Sequence, residues 1–397
     1  MKTKFGMQAL GLLLVLALAG AVFVPAVSAV DVETVEKYYV NTEDSYLIAQ
    51  QTFDDFLSSG ALDNEIFLGS QLSKEPMIIY DSNGLVLFHQ YEITKDGKNL
   101  GFIQAAGSKV LGSPVITIQE TPDSIDYKDV ITKSEQLIKT TFKDAEYSEP
   151  MVVCYSYPKI GIMYEVADKN KTDKVIIDAD EMLIVLDESQ KNSDNIVIWS
   201  FYDVIPNDQL SNKIDAWKED TDAIQIASYA QNTKSLFHHK KLWCSLNLEP
   251  QIRDNWCAVA SAKMIAYWYG TTHSLEHIAD IMGAWDNSYN PPRDKAVNVP
   301  QQEIYYEGSS QGLQMNSDYY YANGNPDRYW DEIKEQIEQK DVLTSDITRH
   351  TRACDGYGFY DSGSRYLHIF DPEPITTGSI KWESLPEEVR IGYLFIN

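Results

Sequence analysis

Apolar positions along this chain recur at two spacings, and the switches between them divide it. From Thr34 to Tyr38, and then through Ala49, Phe53, Phe56 and Leu57, they fall at the three-to-four-residue spacing of a helix. The spacing then drops to two. Pro76–Tyr80 and Leu85–Tyr91 read as a hairpin about a turn at Asp81-Ser-Asn-Gly84, and a second turn at Asp96-Gly97 carries the pattern on to Ile103. Pro114–Ile118 is a further short strand. Helical spacing returns from Tyr127 to Phe142, with Val130, Ile131, Leu137 and Ile138 on one side. Four more strands follow at Met151–Tyr157, Ile162–Val166, Lys174–Ile177 and Met182–Leu186. The order predicts a strand-rich α+β domain over residues 30–205.

Residues 206–244 break the pattern. Polar residues dominate, and the one amphipathic piece, Ile214–Tyr229, predicts a single helix in a connecting segment. His238 and His239 are read as features of that linker. From residue 245 a second domain is predicted, running to 397. An apolar, small-residue helix runs from Cys257 to a stop at Gly270, with Asp254 or Asn255 as its cap. A second helix, Thr272–Met282, closes at Gly283. Residues 285–328 are rich in Asn, Tyr, Pro, Gly and Ser, and a loop of that length is often functional. Its tyrosines, Tyr305, Tyr306 and Tyr319–Tyr321, either line a groove or pack the loop on itself. Trp330–Gln339 reads as a helix. Strands are expected at Val342–Ile347, His350–Tyr357, Tyr366–Phe370 and Ile391–Ile396.

Composition narrows the class. Against 33 Lys and Arg stand 59 Asp and Glu, a net charge of −26, and there is no basic patch, so nucleic acid is not an expected partner. At the start, Lys2 and Lys4 precede an apolar run, Leu10–Val24, and Val27-Ser28-Ala29 resembles a processing site. Residues 1–29 are therefore expected to be a signal peptide, with no transmembrane segment beyond it and a secreted or cell-surface location. Asn170-Lys-Thr172 fits a glycosylation sequon, a common accidental match. The four cysteines, Cys154, Cys244, Cys257 and Cys354, are too few for a disulfide framework and form no Cys-x-x-Cys motif.

The candidate chemistry centres on Cys257. In the first turn of a helix, unpaired N–H groups and the helix dipole favour a thiolate. Gln251 stands six residues before it, placed to reach over the same helix end. A thiol hydrolase also needs a base and a group that orients the base. His350 opens one predicted strand and Asp371 closes the next. A hairpin through Asp361-Ser-Gly363 would bring them together from 21 residues apart. His368 competes as base, but it lies three residues before Asp371, on the opposite face by strand parity, so a core role suits it better. His89 is likewise read as structural or solvent-facing. His273 and His277 are four apart, yet Ser274 stands where a zinc peptidase carries Glu, so no metal is expected. No cofactor is implied. Cys354 shares His350's face and is either a core cysteine beside the site or an accident of packing. Without the later residues, Cys257 would read as a small core hydrophobe.

Two segments carry a family resemblance. Gln251…Asn255-Trp-Cys-Ala-Val-Ala-Ser-Ala-Lys-Met-Ile265 and His350…Gly356-Tyr357…Leu367-His-Ile-Phe-Asp-Pro372 resemble C39-like papain-fold cysteine peptidases. That likeness covers about residues 245–397, with the 285–328 loop as a departure. It implies an α+β, papain-like domain whose helical part carries the Cys and whose antiparallel sheet carries the His and Asp. It also implies Cys257 as nucleophile, His350 as base, Asp371 as orienting residue and Gln251 as oxyanion donor. The expected activity is hydrolysis of peptide or isopeptide bonds in a peptide or protein substrate, including cell-wall peptides. The N-terminal half more loosely resembles the propeptide-like domains of secreted cysteine peptidases, which implies intramolecular inhibition. The alternative is an inactive peptidase-like protein serving in surface binding or adhesion.

Overall fold

The computed structural model describes residues 29–143, 145–168, 171–185, 198–229, 237–242, 246–322, 329–384 and 389–397. The signal segment up to residue 28, Asn170 of the sequon and Cys244 lie outside the described residues.

The predicted helical start becomes α1 (Val32–Lys37) and α2 (Thr42–Ser59), each capped by an acid or amide: Asp31 accepts from the Thr34 N–H and Asn41 from the Asp44 N–H. A single turn, α3, covers Asn64–Phe67. The strands of this half are β1 (Gln71–Leu72), β2 (Met77–Asp81), β3 (Val86–Lys95), β4 (Lys98–Ala106) and β5 (Val115–Gln119). After helix α4 (Tyr127–Thr141) come β6 (Glu146–Tyr147), β7 (Met151–Ser156), β8 (Lys159–Asp168), β9 (Lys171–Asp178) and β10 (Ile184–Val185). Helix α5, Leu210–Tyr229, follows.

The residues read as a linker are not all linker. Phe237–Lys241 forms β11, which pairs antiparallel with the far half of β16 (His350–Tyr360). His238 and His239 are thus strand residues. Gly358 of β16 makes this pairing feasible: a Cβ there would lie 2.2 Å from the Phe237 ring. Its alternating polar residues hid this strand, because Lys241 is buried by an ion pair rather than by apolar contact.

Next come α6 (Cys257–Trp268) and α7 (Leu275–Met282), which ends at Gly283 in the left-handed region. Residues 285–322 are less irregular than expected. They hold the short strands β12 (Trp285–Asp286) and β13 (Arg293–Asp294), helix α8 (Val299–Glu303) and β14 (Ser317–Tyr321). Tyr305 and Tyr306 are fully buried in the core, whereas Tyr321 is exposed. The chain ends with α9 (Trp330–Glu338), β15 (Leu343–Ile347), β16, β17 (Arg365–Asp371), β18 (Ser379–Glu383) and β19 (Arg390–Ile396).

Among the described residues, 17 strands hydrogen-bond into one mixed sheet. The join between the halves is β18 on β5, with Lys381 opposite Gln119 and Glu383 opposite Thr117. One apolar cluster straddles that join: Phe53, Phe56 and Ile118 from the N-terminal half pack with Phe237, Tyr366 and Trp382. The two halves therefore share both a sheet and a core along this seam. Trp256 and the buried face of α6 belong to a separate cluster confined to the C-terminal half.

Candidate active site

Helix α6 begins at Cys257 itself. The position before it is Trp256, which makes no side-chain cap, so the expected cap by Asp254 or Asn255 does not form. Trp256 is instead buried, with Trp285 edge-on at 4.9 Å and the Arg253 guanidinium 5.2 Å above its ring. Packing of that indole, rather than a cap, anchors the helix start. Further along, the Ser261 hydroxyl donates to the Thr351 carbonyl over 3.0 Å. That bond docks α6 on β16 one residue past His350.

The β16–β17 hairpin turns where expected. Gly363 N–H donates to the Tyr360 carbonyl, and Tyr360 pairs with Ser364. Ala353 lies opposite Phe370, so the start of β16 and the end of β17 run side by side. His350 Nε2 and Asp371 Oδ1 are 2.6 Å apart, both buried. The Cys257 side chain is near enough to the same imidazole to be among the groups that raise it. Nε2 is given to Asp371, so Nδ1 is the ring nitrogen not engaged by that carboxylate. The three residues singled out in sequence thus come together. Cys257 is half-buried, and Cys154, Cys257 and Cys354 are all free thiols. Cys354 is sealed in the core, where burial pushes its thiol up to about 12.

Electrostatics favour a charged imidazole. Burial alone would lower His350, but the neighbouring carboxylates of Asp371 and then Glu373, with the bonds to Asp371 and Cys257, push it up to about 10. Burial likewise opposes ionisation of Asp371, yet His350 and Lys381 hold it well below the usual carboxylate range. Lys381 Nζ lies 2.9 Å from Asp371 Oδ2 and 3.4 Å from Glu383. Glu383 also binds Arg352 closely and accepts from the Tyr157 hydroxyl at 2.5 Å. Sequence reading missed this buried support. Its signal would have been the alternation Ser379, Lys381, Glu383 on one face of β18, had the strand been recognised.

Gln251 is fully buried just ahead of α6. Its backbone is stitched to the loop after Asp371: its N–H donates to Pro372 O at 2.9 Å, and its carbonyl accepts from Thr376 N–H at 3.0 Å. Its side-chain nitrogen lies 3.1 Å from Glu373 Oε1 and 3.4 Å from the Asp254 carbonyl. Glu373 was not foreseen, since nothing in Pro372-Glu-Pro374 suggests a partner for a glutamine.

The other histidines do different work. His368 is held between Asp355 and Glu120, with Nε2 3.0 Å from Glu120. His89 is fully buried, reaches the Tyr39 hydroxyl at 3.5 Å, and is lowered by burial to about 4. His273 meets Tyr305 at 2.9 Å and His277 meets the Gln311 carbonyl at 2.9 Å. Among the described residues no group of His, Cys, Asp and Glu is placed to hold a metal.

Residues 223–390 match the model of the Peptidase_C39 like family. That stretch of the chain is similar to a C39-like peptidase family domain. The match begins before the expected boundary at 245 and takes in β11, in keeping with the pairing of that strand on β16. No curated protein matches the sequence. Among solved structures, the crystal structure of UfSP from C. elegans is similar at 14% identity and a TM-score of 0.31, covering 40% of this chain and 34% of that one. This chain thus spans about a third of that structure's length. The peptidase domain of Streptococcus ComA, described as a bi-functional ABC transporter involved in a quorum sensing pathway, is similar at 16% identity and a TM-score of 0.27, covering 38% of this chain and 97% of that one.

Proposed function

We propose that this protein is a thiol hydrolase of peptide or isopeptide bonds, with a papain-like arrangement of its catalytic groups. The observation that carries the reading is the His350 ring, 2.6 Å from Asp371 through Nε2 and with the Cys257 side chain among the groups that raise it. In this mechanism the Cys257 thiolate, paired with the His350 imidazolium, attacks the substrate carbonyl. The C–N bond breaks as His350 gives its proton to the leaving amine, which leaves a thioester on Cys257. Water, deprotonated by His350, then releases the acid. Asp371 holds the ring in place and stabilises its charge, with Lys381 fixing the carboxylate from behind. The Cys257 N–H at the start of α6 and the Gln251 amide are the oxyanion donors.

The segment up to residue 29 supports an extracytoplasmic location, and N-terminal sequencing of the exported chain would show Val30 or a close neighbour as its first residue. No helix among the described residues is long and apolar enough to cross a membrane.

The direct test uses iodoacetamide at mildly acidic pH, where an ordinary thiol reacts slowly. Wild-type protein should be alkylated at Cys257, and Cys257→Ala should lose both labelling and peptide-amide hydrolysis. Unchanged turnover in Cys257→Ala would end this reading.

A further inference from the structure

Gln251 is the side-chain donor on which an oxyanion would depend, and in this structure its donors are already spent. A primary amide has two N–H bonds. One points at Glu373 Oε1, at 3.1 Å, and the other at the Asp254 carbonyl, at 3.4 Å. Its Oε1 is buried without a hydrogen-bond partner among the described residues, so the donor side alone holds the amide. A carboxylate oxygen against Gln251 Nε2 takes the hydrogen bond that a negatively charged oxygen on substrate would need.

The cation nearest Glu373 comes from the other half of the molecule. Lys159, at the start of β8, lies 3.6 Å from Glu373 Oε1. Burial would lower this lysine, but Glu373, Asp178, Asp254 and Glu181 together hold it well above the usual range. Two further contacts bind the same corner: the Ile375 N–H donates to Asp180 at 2.9 Å, and Glu181 shares a hydrogen bond with Asp254. Beside Glu373 lies a cavity of about 100 Å³ between the halves, lined by Gln90, Gln104, Tyr157, Lys159 and Lys381 among others. The carboxylate thus has room and cations to turn towards.

We infer that Glu373 is an internal occupant of the oxyanion site, latched there by Lys159 of the N-terminal half, and that the site opens when Glu373 leaves Gln251. This rests on the thiol-hydrolase reading and adds a residue that sets how much of its power is expressed. The backbone of Glu373 also donates to Asp371 Oδ1 at 2.9 Å, a bond that truncating the side chain leaves in place. Glu373 is therefore a positioning residue, acting through Gln251.

Two probes on the full chain separate the inference from the reading beneath it. Alkylation of Cys257 by iodoacetamide needs the thiolate and His350 but no oxyanion donor. Reversible addition of a peptide aldehyde, acetyl-Leu-Leu-argininal, joins sulfur to the carbonyl carbon and places the new oxygen at the donors. In Glu373→Ala the aldehyde should bind, and a fluorogenic peptide amide should turn over, about 10–100-fold better than in wild type, up to the lower end of the roughly 10²–10³-fold that one such donor is worth. Lys159→Ala should give a smaller gain in the same direction. Adding it to Glu373→Ala should give nothing more. Gln251→Ala should erase the gain in the Glu373→Ala background. The alkaline limb of the rate profile should also move down in Glu373→Ala, because Glu373 helps hold His350 charged. Glu373→Gln, which keeps the side-chain volume, should fall between wild type and the alanine variant. If Cys257 alkylates normally while Glu373→Ala and Glu373→Gln leave aldehyde binding and turnover unchanged or weaker, the occupant role is wrong. If Cys257 does not alkylate at all, the hydrolase reading fails and takes this inference with it.

Discussion

His350 and His368 are both buried, both on the β16–β17 hairpin, both bonded to an aspartate, and both raised by their carboxylates against the cost of burial. What separates them is the second ring nitrogen. His350 has no second carboxylate bonded there among the described residues, and Cys257 is among the groups that raise it. His368 has Glu120, which is itself tied to Lys241 at 3.2 Å. A histidine with acceptors on both sides has no proton to trade with a substrate, so a His–Asp pair by itself is no mark of catalysis. The two rings also mark two different seams between the halves. At His368 the join is a buried weld of β5 on β18, with Trp382 in the shared core. At His350 it is a polar, partly open contact of Lys159 and Asp180 on the loop after Asp371, with Glu181 facing Asp254.

The comparison breaks first on activity. His350→Ala should lower kcat/KM by about 10³-fold or more, while leaving a folded protein. His368→Ala should retain turnover per folded molecule within about tenfold. Equal losses in the two variants would mean that the second ring nitrogen is not what distinguishes them.

Stability should show the reverse order. Removing His368 leaves Asp355 and Glu120 buried without the imidazolium between them, and breaking a buried charge pair in this way costs about 3–5 kcal/mol. Removing His350 leaves Asp371 still paired to Lys381, so its cost should be smaller. Urea unfolding of both variants at neutral pH gives the comparison. A His368→Ala protein as stable as wild type would show that the weld is elsewhere.

Asp371→Asn sharpens the active side. His350 is pushed up to about 10, with Asp371 as the leading raising influence. Turnover should therefore fall as pH rises through about 10, where the imidazolium that protonates the leaving group is lost. In Asp371→Asn that limb should move to lower pH, with a rate loss at neutral pH of about 10–100-fold. A limb that stays in place would assign it to some other group.

The active side was the more legible of the two in sequence. Cys257 heads an apolar helix that stops at Gly270, and His350 and Asp371 bracket a hairpin whose turn, Asp361-Ser-Gly363, is a local signal. Strand parity also separated His368 from Asp371. What could not be read was whatever depends on partners distant in the chain. Strand β18 carries Lys381 and Glu383 on a buried face, which looks solvent-facing until Asp371 and Arg352 are known to meet it. Strand β11 hides for the same reason, its Lys241 being matched by Glu120. Asp355 drops out of register at a bulge between Cys354 and Gly356, and no local pattern predicts that its carboxylate meets His368.

The smallest expected effect tests whether the polar seam is held by a proton. Glu181 is pushed up to about 8, first by burial and then by its hydrogen bond and charge repulsion with Asp254, against a pull from Lys159. Asp178 adds to the repulsion. The folded protein therefore binds this proton more tightly than the unfolded chain, whose Glu181 titrates near 4.5. The contribution is fully present below that value and is lost as pH rises through about 8. Asp254 is exposed, which screens the pair and keeps the effect small. Glu181→Gln keeps a hydrogen-bond donor facing Asp254 at every pH. Its urea midpoint should fall less than that of wild type between pH 6 and pH 9, whereas a variant at the buried weld should run parallel to wild type. Parallel curves for Glu181→Gln and wild type would mean that no proton holds the corner where Lys159 meets Glu373.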